Sequence, residues 1–285
     1  MYGDARKIRY KAPAEDRTRL NGEAIPSKTS ARKNGRRFWT TSPNTFEHHH
    51  PETKPSTHEK EHTMLTLHLL EQSRALRILW LLEILGADYT LQTYPRDPQT
   101  LLAPEALKRI HPLGKSPLLQ DGSLTLAESG AITDYLIRSY GRGRLMPAEG
   151  TAQYWQYQRW LHYAEASLMP LLLLSLIFRK IETAPAPFFV KPISRKISAK
   201  VKASFIAPQT ALHLSHIEQE LSGKDWLMGE LSGADIMMSY PLQAAESRFG
   251  LTGYPNLQAY LQRIAAHPAY RRAVAKAGEA VLRVD

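Results

Sequence analysis

The pattern of apolar and polar residues changes at Met64. Residues 1–63 are rich in Arg, Lys, Ser, Thr and Pro and show no sustained apolar period. A segment of this composition buries too little apolar surface to fold alone, so we predict a disordered extension. It contains no apolar core of a secretory signal, and the acidic residues scattered through it argue against a transit peptide.

After Met64 the apolar positions acquire regular periods. Leucines alternate with polar residues over residues 65–69, which indicates a half-buried strand. Residues 75–85 are apolar around most of a helical circumference and predict a buried helix that Gly86 ends. Residues 89–94 predict a second strand because they are β-branched and aromatic, and a short helical piece is expected around residues 103–110.

Two short apolar runs, Leu118–Gln120 and Leu124–Ala127, flank Asp121 and Gly122. An Asp-Gly pair between such runs is typical of a β-hairpin. A segment with apolar residues at helical spacing follows. The predicted order over residues 64–146 is β-α-β-α-β-β-α, which is that of a thioredoxin-like α/β domain.

The following residues, 150–285, predict helices only. The first is long and aromatic-rich, and its most apolar part, Leu168–Phe178, is expected to be buried because it is too short to span a bilayer. Ser232 and Asp235 have the spacing of a capping box at the start of a later helix. We therefore expect a second domain that is all-α.

The composition limits the chemistry. The chain has no cysteine, which excludes disulfides, thiolate metal sites and a cysteine nucleophile of its own. Any thiol chemistry here requires a thiol that the ligand brings. The formal net charge of +10 is divided evenly, +5 in residues 1–63 and +5 in the rest, so we expect a solvated surface and no nucleic-acid partner.

Two polar segments allow more specific interpretations. The basic stretch Lys191–Lys202 is expected to be an exposed helix face, with attachment to a membrane surface as the less favoured alternative. Histidines of the N-terminal extension could bind a metal, but we expect a polar tail and no metal site. These histidines are His48, His49, His50, His58 and His62.

Ser73 is the first candidate for a functional residue. It lies between the first strand and the first helix, where a serine is commonly an N-cap. Its hydroxyl can alternatively donate to a ligand sulfur. A free thiol has a pKa near 8.5, and lowering it by about two pH units requires roughly 2.7 kcal/mol. A hydrogen bond to the anion supplies about 1.5–3 kcal/mol and a helix N-terminus about 0.3–1 kcal/mol, which together suffice.

The segment from Ser116 to Ser129 contains the second candidate site. Pro117 is a candidate for a cis peptide bond, which would turn the backbone of Ser116 outward. Ser129 is expected to be the N-cap of the third helix, where free N–H groups can hold a carboxylate. Glu128 is either a solvated acid or the partner of a ligand ammonium. This arrangement suits the α-amino acid end of a small peptide.

Four motifs, in this order, resemble the glutathione S-transferases: SRALRILWLLEILGADY, HPLGKSPLL, ESGAITDYL and SGADIMMSYPLQAA. The likeness is greatest to a fungal and bacterial branch with a serine-type site, and it covers about residues 64–280. It implies a thioredoxin-like domain followed by an all-helical domain, assembled as a homodimer. It also implies glutathione as the cosubstrate, with no further cofactor.

The resemblance assigns roles to residues of the first domain. In such proteins the residue before the cis-proline pairs its backbone with the cysteinyl part of glutathione, and that residue is Ser116 here. A Glu-Ser pair, here Glu128 and Ser129, grips the γ-glutamyl end. Lys115 and Pro117 belong to the same glutathione-binding segment.

The resemblance leaves the residue that activates the thiol open. Tyrosine-type members have a tyrosine where this chain has Leu67, His68 and Leu69, and theta-like members would have a serine at Leu70. Some cysteine-type members have their cysteine at the position of Ser73. Because Ser73 offers the suitable hydroxyl, we predict that it supports the thiolate. The lack of cysteine argues against thiol-transferase and dehydroascorbate-reductase activities.

Two hypotheses of different classes follow. The first is a cytoplasmic glutathione transferase for detoxification, which joins glutathione to hydrophobic electrophiles or reduces peroxides. Its electrophile is expected against the second domain, near Trp155, Tyr163 or Phe178. The alternative is a non-catalytic interaction module, comparable to the domain in a translation elongation factor subunit. Intact Ser73 and an intact Glu128-Ser129 pair favour the enzyme.

Overall fold

The computed structural model describes residues 65–278. The predicted N-terminal extension and its histidines lie outside the described residues. The elements of the first part follow the predicted order, and they are β1 (Leu65–Leu70), α1 (Ala75–Leu85), β2 (Tyr89–Tyr94), α2 (Glu105–Lys108), β3 (Leu118–Asp121), β4 (Leu124–Ala127) and α3 (Ser129–Tyr140).

The four strands form one mixed sheet in the order β2-β1-β3-β4. β1 and β2 are parallel, with α1 as the crossover between them, whereas β3 is antiparallel to β1 and β4 is antiparallel to β3. This arrangement confirms the predicted thioredoxin-like domain.

Helix α1 is the centre of the core. Every residue from Ala75 to Leu82 is buried, because the helix packs on the sheet, on α3 and on two helices of the second part of the chain. Gly86 ends α1 as predicted, with a left-handed φ of 63° and its N–H bonded to the carbonyl of Leu82. A helix buried on all sides explains why its sequence shows little polar periodicity.

The second part is all-α, as predicted. Its helices are α4 (Ala152–Tyr163), α5 (Met169–Thr183), α6 (Lys191–Val201), α7 (Ala207–Glu220), α8 (Gly233–Phe249), α9 (Pro255–Ala266) and α10 (Pro268–Ala277). Two π-helical segments, Ala164–Leu168 and Lys202–Ile206, join α4 to α5 and α6 to α7. Each is followed within two residues by a proline. The wider π turn accommodates a residue that lacks an N–H and whose ring clashes with a regular preceding turn.

The expectation that Leu168–Phe178 is buried was wrong for one of its faces. Leu171 and Leu172 are buried, but Leu173 and Ile177 are 48% and 43% exposed. Their neighbours on the other face pack against α8, while nothing among residues 65–278 covers this side. Within that range, the continuous helix Ala152–Thr183 is long and apolar enough to cross a membrane by length and composition alone. It packs against α8, and 33% of its most apolar stretch is buried.

The predicted capping box at the start of α8 is present. Ser232 Oγ accepts from the Ala234 N–H, and the Asp235 carboxylate accepts from both the N–H and the hydroxyl of Ser232. Asp235 also accepts from the Leu227 N–H and the Tyr260 hydroxyl, each at 2.9 Å. Burial raises the pKa of Asp235 to about 6, although these hydrogen bonds oppose the shift.

Candidate functional site

A cleft of about 400 Å³ contains all six residues that the sequence singled out. They come from three separate segments of the first domain and line the cleft together. These residues are Ser73, Lys115, Ser116, Pro117, Glu128 and Ser129.

The sheet topology brings the three segments to one place. His68 near the end of β1 is opposite Leu118 at the start of β3, and Leu118 is opposite Ala127 at the end of β4. The chain after β1, before β3 and after β4 therefore meets at one edge of the sheet. Because Ser73, Ser116 and Glu128 stand in those connections, they converge on the cleft.

Ser73 lies where a hydroxyl can serve both the helix and a ligand. Its Oγ accepts from the Ala75 N–H at 3.2 Å, at the start of α1, and donates to Ser116 Oγ at 3.3 Å. Ser116 Oγ donates to the carbonyl of His68 and accepts from the Leu70 N–H, both at 3.0 Å. The Ser116 hydroxyl therefore donates to the backbone carbonyl of His68. The Ser73 hydroxyl donates to Ser116 Oγ, which also accepts from the Leu70 N–H.

The other positions considered for thiol activation do not offer a polar group to the cleft. His68 is buried, and its ring nitrogens contact Tyr94 Oη and Gln120 Oε1, each at 2.8 Å. Leu67 and Leu69 are in the core, and Leu70 reaches the cleft with an apolar side chain. The role of Ser73 itself stays a prediction.

The Ser116–Pro117 peptide bond is cis, as the sequence predicted. Pro117 stands immediately before β3, and it lines the cleft together with Ser116. Lys115 precedes them and is exposed, so its ammonium is accessible to a ligand carboxylate.

The expected N-cap role of Ser129 was wrong by one position. Ser129 is the first residue of α3, and the N-cap position belongs to Glu128, whose side chain makes no capping hydrogen bond. Glu128 has φ 70° and ψ 119°, which is unfavourable for a residue with a side chain. Such strain costs about 1–3 kcal/mol and is concentrated at functional sites. The first N–H groups of α3 therefore have no side-chain cap, and Ser129 at the start of the helix lines the cleft.

Two arginines near the start of α1 share Glu165 of the second domain. Arg77 is 1% exposed, binds the Glu165 carboxylate and donates to the carbonyl of Met237 at 2.8 Å. Burial lowers the pKa of the Arg77 guanidinium, and the Glu165 carboxylate opposes that shift. Arg74 pairs with Glu165 and also lines the cleft beside Ser73. The cluster thus combines two cations with one anion and fixes a positive charge at the cleft.

Tyr240 of α8 was not predicted at the site, and it is the lining residue that comes from the second domain. Its ring lies 5.8 Å from Arg77 Cζ, and its hydroxyl has no hydrogen bond to any described residue. Trp155, Tyr163 and Phe178, which were expected near a second ligand, do not line this cleft. The position of Tyr240 at the cleft could not be predicted from the sequence, because it depends on how α8 packs against α1.

Models of two protein families match the chain. "Glutathione S-transferase, N-terminal domain" matches residues 63–138, and "Glutathione S-transferase, C-terminal domain" matches residues 181–268. The first range contains the whole sheet and nearly all of α3. The second contains most of the helical domain.

Two curated fungal proteins are similar over most of their length. Glutathione S-transferase 1 of Saccharomyces cerevisiae is 35% identical over 224 residues, which cover 75% of this chain and 95% of that protein. Glutathione S-transferase 3 of Schizosaccharomyces pombe is 33% identical over 215 residues, which cover 75% of this chain and 88% of that protein.

Solved structures show the same architecture. A glutathione S-transferase from Actinobacillus pleuropneumoniae is 42% identical with a TM-score of 0.64, covering 75% of this chain and 92% of that one. A sphingomonad glutathione S-transferase complexed with glutathione is 25% identical with a TM-score of 0.59, covering 76% of this chain and 100% of that one.

Proposed function

The chain belongs to the glutathione S-transferase family and acts as a glutathione transferase, and we propose that it binds glutathione in the cleft with the sulfur beside Ser73. The observation that carries this proposal is the convergence of Ser73, Ser116, Glu128 and Ser129 on one cleft. We further propose that the chain is of the serine type. In support, His68 is turned into the core and Ser73 stands at the cleft.

The γ-glutamyl end of glutathione is proposed to lie at the start of α3. Its carboxylate would accept from the uncapped N–H groups and from the Ser129 hydroxyl, where the helix dipole also favours an anion. Its ammonium would pair with the Glu128 carboxylate. The strained backbone of Glu128 supports this assignment. Its positive φ is unfavourable for a residue with a side chain, and strain of this kind is concentrated at functional sites.

The rest of the peptide is proposed to follow the edge of the cleft. The cysteinyl backbone would pair with Ser116 next to the cis-proline, and Lys115 would attract the second carboxylate of the ligand. The lining includes Arg74, Arg96 and Lys115 as cations and Glu128 as an anion, which suits a ligand of net negative charge. Arg96 donates to the carbonyls of Glu71, Gln72 and Leu101, so it shapes the cleft wall.

The thiolate is proposed to be stabilised by three features. The Ser73 hydroxyl can turn from Ser116 to the sulfur and donate to it, at a gain of about 1.5–3 kcal/mol. The start of α1 adds the positive end of a helix dipole. The Arg74 charge is held near it by Glu165. Together they lower the thiol pKa without a general base.

In the proposed reaction the thiolate attacks an electrophilic carbon. A carbon–sulfur bond forms, the bond to the leaving group breaks, and the leaving group departs with the electron pair. The thiol proton has already gone to solvent. The protein contributes orientation of the tripeptide and a stabilised nucleophile. Reduction of a peroxide by the same thiolate is the second candidate reaction.

We also propose a homodimer in the cytoplasm. Trp155 on α4 is 65% exposed, which is unusual for so large an apolar side chain and fits a subunit contact. A reducing compartment supplies the glutathione thiol that the reaction needs. Light scattering after size exclusion and cell fractionation test these two proposals.

The test of function uses the full-length protein and immobilised glutathione. We expect retention on the resin, elution by free glutathione, and conjugation of chlorodinitrobenzene by the eluted protein. Ser73→Ala should be retained like the wild type but conjugate more slowly. A folded protein that flows through the resin and lacks conjugating activity would contradict the proposal and favour the non-catalytic module.

A further inference from the structure

Positive charge in the part of the chain from residue 64 onward is concentrated in residues 178–206. This segment contains seven Lys and Arg and one acidic residue, which gives a formal net charge of +6. The other residues from 64 onward contain 17 Lys and Arg and 18 Asp and Glu. The net charge of +5 in the residues after 63 therefore comes from one strongly basic segment, while the other residues from 64 onward are close to neutral.

The cations of α6 are exposed and without local neutralisation. Lys191, Arg195, Lys196 and Lys200 all lie on its surface. The acid of the segment, Glu182, pairs with Lys202 at 2.7 Å. No ion pair within residues 65–278 involves the four exposed cations of α6. Their charge is available to an external anion.

Large apolar side chains are exposed on α6 and in the loop before it. Phe188 and Phe189 stand in the loop before α6, 86% and 63% exposed, with ring centroids 5.5 Å apart. Ile193 and Ile197 on α6 are 59% and 56% exposed. Exposed apolar surface is unfavourable by roughly 25 cal/mol per Å², so a cluster of this size indicates a contact surface.

Apolar and basic side chains alternate regularly on α6. Ile193 and Ile197 are four residues apart and share one face of the helix. Lys196 and Lys200 each follow one of these isoleucines by three residues, so they lie along the edge of the apolar stripe. Lysine stems can cover apolar surface while the ammonium reaches outward.

We propose that this face binds the surface of an anionic phospholipid bilayer. We name it the basic apolar face and define it by Phe188, Phe189, Ile193, Lys196, Ile197 and Lys200. The phenylalanines and isoleucines would enter the boundary between headgroups and acyl chains, and the lysines would meet lipid phosphates and carboxylates. None of the six residues lines the glutathione cleft, so the proposal stands apart from the proposed catalytic function.

Charge complementarity and shape favour a bilayer over the other occupants. A second copy of this chain would bring the same cations to the contact and leave like charges facing one another. An apolar peptide would need a groove, whereas Phe188 projects from a loop with 86% of its surface exposed. A projecting aromatic pair beside lysines matches a planar anionic surface.

The test is co-sedimentation of the full-length protein with vesicles at low salt. Vesicles of phosphatidylcholine and phosphatidylserine in equal parts should bind the protein, and vesicles of phosphatidylcholine alone should bind it weakly. The double variant Phe188→Ser, Phe189→Ser should bind at least about tenfold more weakly. In the double variant Lys196→Gln, Lys200→Gln, the affinity for anionic vesicles should fall about fivefold for each lysine. The fall should be smaller at high salt, where charge interactions are screened.

Two control variants separate this face from general surface effects. Arg142→Gln with Lys224→Gln removes the same charge from exposed positions elsewhere. Leu212→Ser removes a side chain that is 63% exposed on α7. Both should bind vesicles as the wild type does. Conjugating activity in solution should be unchanged in every one of these variants, which shows that they fold.

Three outcomes would overturn the proposal. The first is a wild-type protein that stays in the supernatant with anionic vesicles at low salt. The second is equal binding by the phenylalanine variant and the wild type. The third is conversion of a dimer to a monomer by the phenylalanine variant in the absence of vesicles, which would make the face a contact between copies.

Discussion

The starts of α3 and α8 contain the same kinds of residue and differ in how they are used. At α8, Ser232 and Asp235 exchange hydrogen bonds, and Asp235 is fully buried. At α3, Glu128 and Ser129 stand at the cleft, no side chain caps the helix, and Glu128 has φ 70°. One helix start is closed by the chain itself, and the other is open.

The difference shows how a serine and an acid acquire different roles from their surroundings. Four hydrogen bonds to Asp235 satisfy donors that would otherwise be buried without a partner, so its contribution is to stability. At Glu128 the chain tolerates strain and leaves helix N–H groups available, which is unfavourable for the isolated protein. We infer that the open start is completed by the ligand.

The largest expected effect is on the closed start. Asp235→Ala leaves the Leu227 N–H, the Ser232 N–H and the Tyr260 hydroxyl without their acceptor in the core. Because each buried donor left without an acceptor costs about 1–3 kcal/mol, we expect the free energy of unfolding to fall by about 3–5 kcal/mol. Urea denaturation measures it, with Tyr260→Phe as the control that removes a single bond. A loss below about 1 kcal/mol would show that the two helix starts do not differ as described.

The pH dependence of stability sharpens the same comparison. Burial raises the pKa of Asp235 from 3.8 to about 6 in the folded protein, which therefore binds the proton more tightly than the unfolded chain. The stabilisation that comes from this tighter proton binding is complete below about pH 4 and is lost as the pH rises through 6. Relative to Asp235→Asn, the wild type should lose about 2–3 kcal/mol over this range. Parallel stability curves for the two proteins would be the contrary result.

Glu128→Gly should raise the stability of the protein and lower its affinity for glutathione. Glycine adopts the left-handed backbone at no steric cost, so the free energy of unfolding should rise by about 1 kcal/mol. Glutathione affinity should fall about tenfold, because the variant lacks the acid that we propose as the partner of the ligand ammonium. Thermal unfolding and titration calorimetry measure the two effects. Unchanged affinity would remove Glu128 from the site.

The two serines provide a matched pair with the smallest expected effects. Ser232→Ala should cost about 1 kcal/mol of stability and leave glutathione affinity as it is, since it removes a cap. Ser129→Ala should leave stability nearly unchanged and weaken glutathione binding about fivefold. The same pattern of loss in both variants would mean that the two starts serve one purpose.

Local features of the fold could be predicted from the sequence because local rules decide them. The end of α1 at Gly86, the capping box of Ser232 and Asp235, and the cis bond before Pro117 each depend on a few neighbouring residues. The place of Ser73 and Glu128 in one cleft, in contrast, became clear from the order of the strands in the observed sheet. Helix α1 was predicted with its observed ends because an apolar segment between two strands has few alternatives.

The features that were missed depend on backbone angles or on packing at long range. The shift of the N-cap from Ser129 to Glu128 follows from a positive φ, which a side-chain pattern does not encode. Tyr240 reaches the cleft because α8 packs against α1. The exposure of Leu173 was hidden because an apolar run does not reveal which of its faces a neighbour covers.

The measurement that tests the central claim most directly is the pKa of the thiol of bound glutathione, followed by the ultraviolet absorbance of the thiolate. A free thiol has a pKa near 8.5, and we predict that the pKa of the bound thiol in the wild type is about two pH units lower. Ser73→Ala should raise it by about one to two pH units, and Tyr240→Phe should leave it in place. An unchanged pKa in Ser73→Ala, or a rise in Tyr240→Phe instead, would contradict the account.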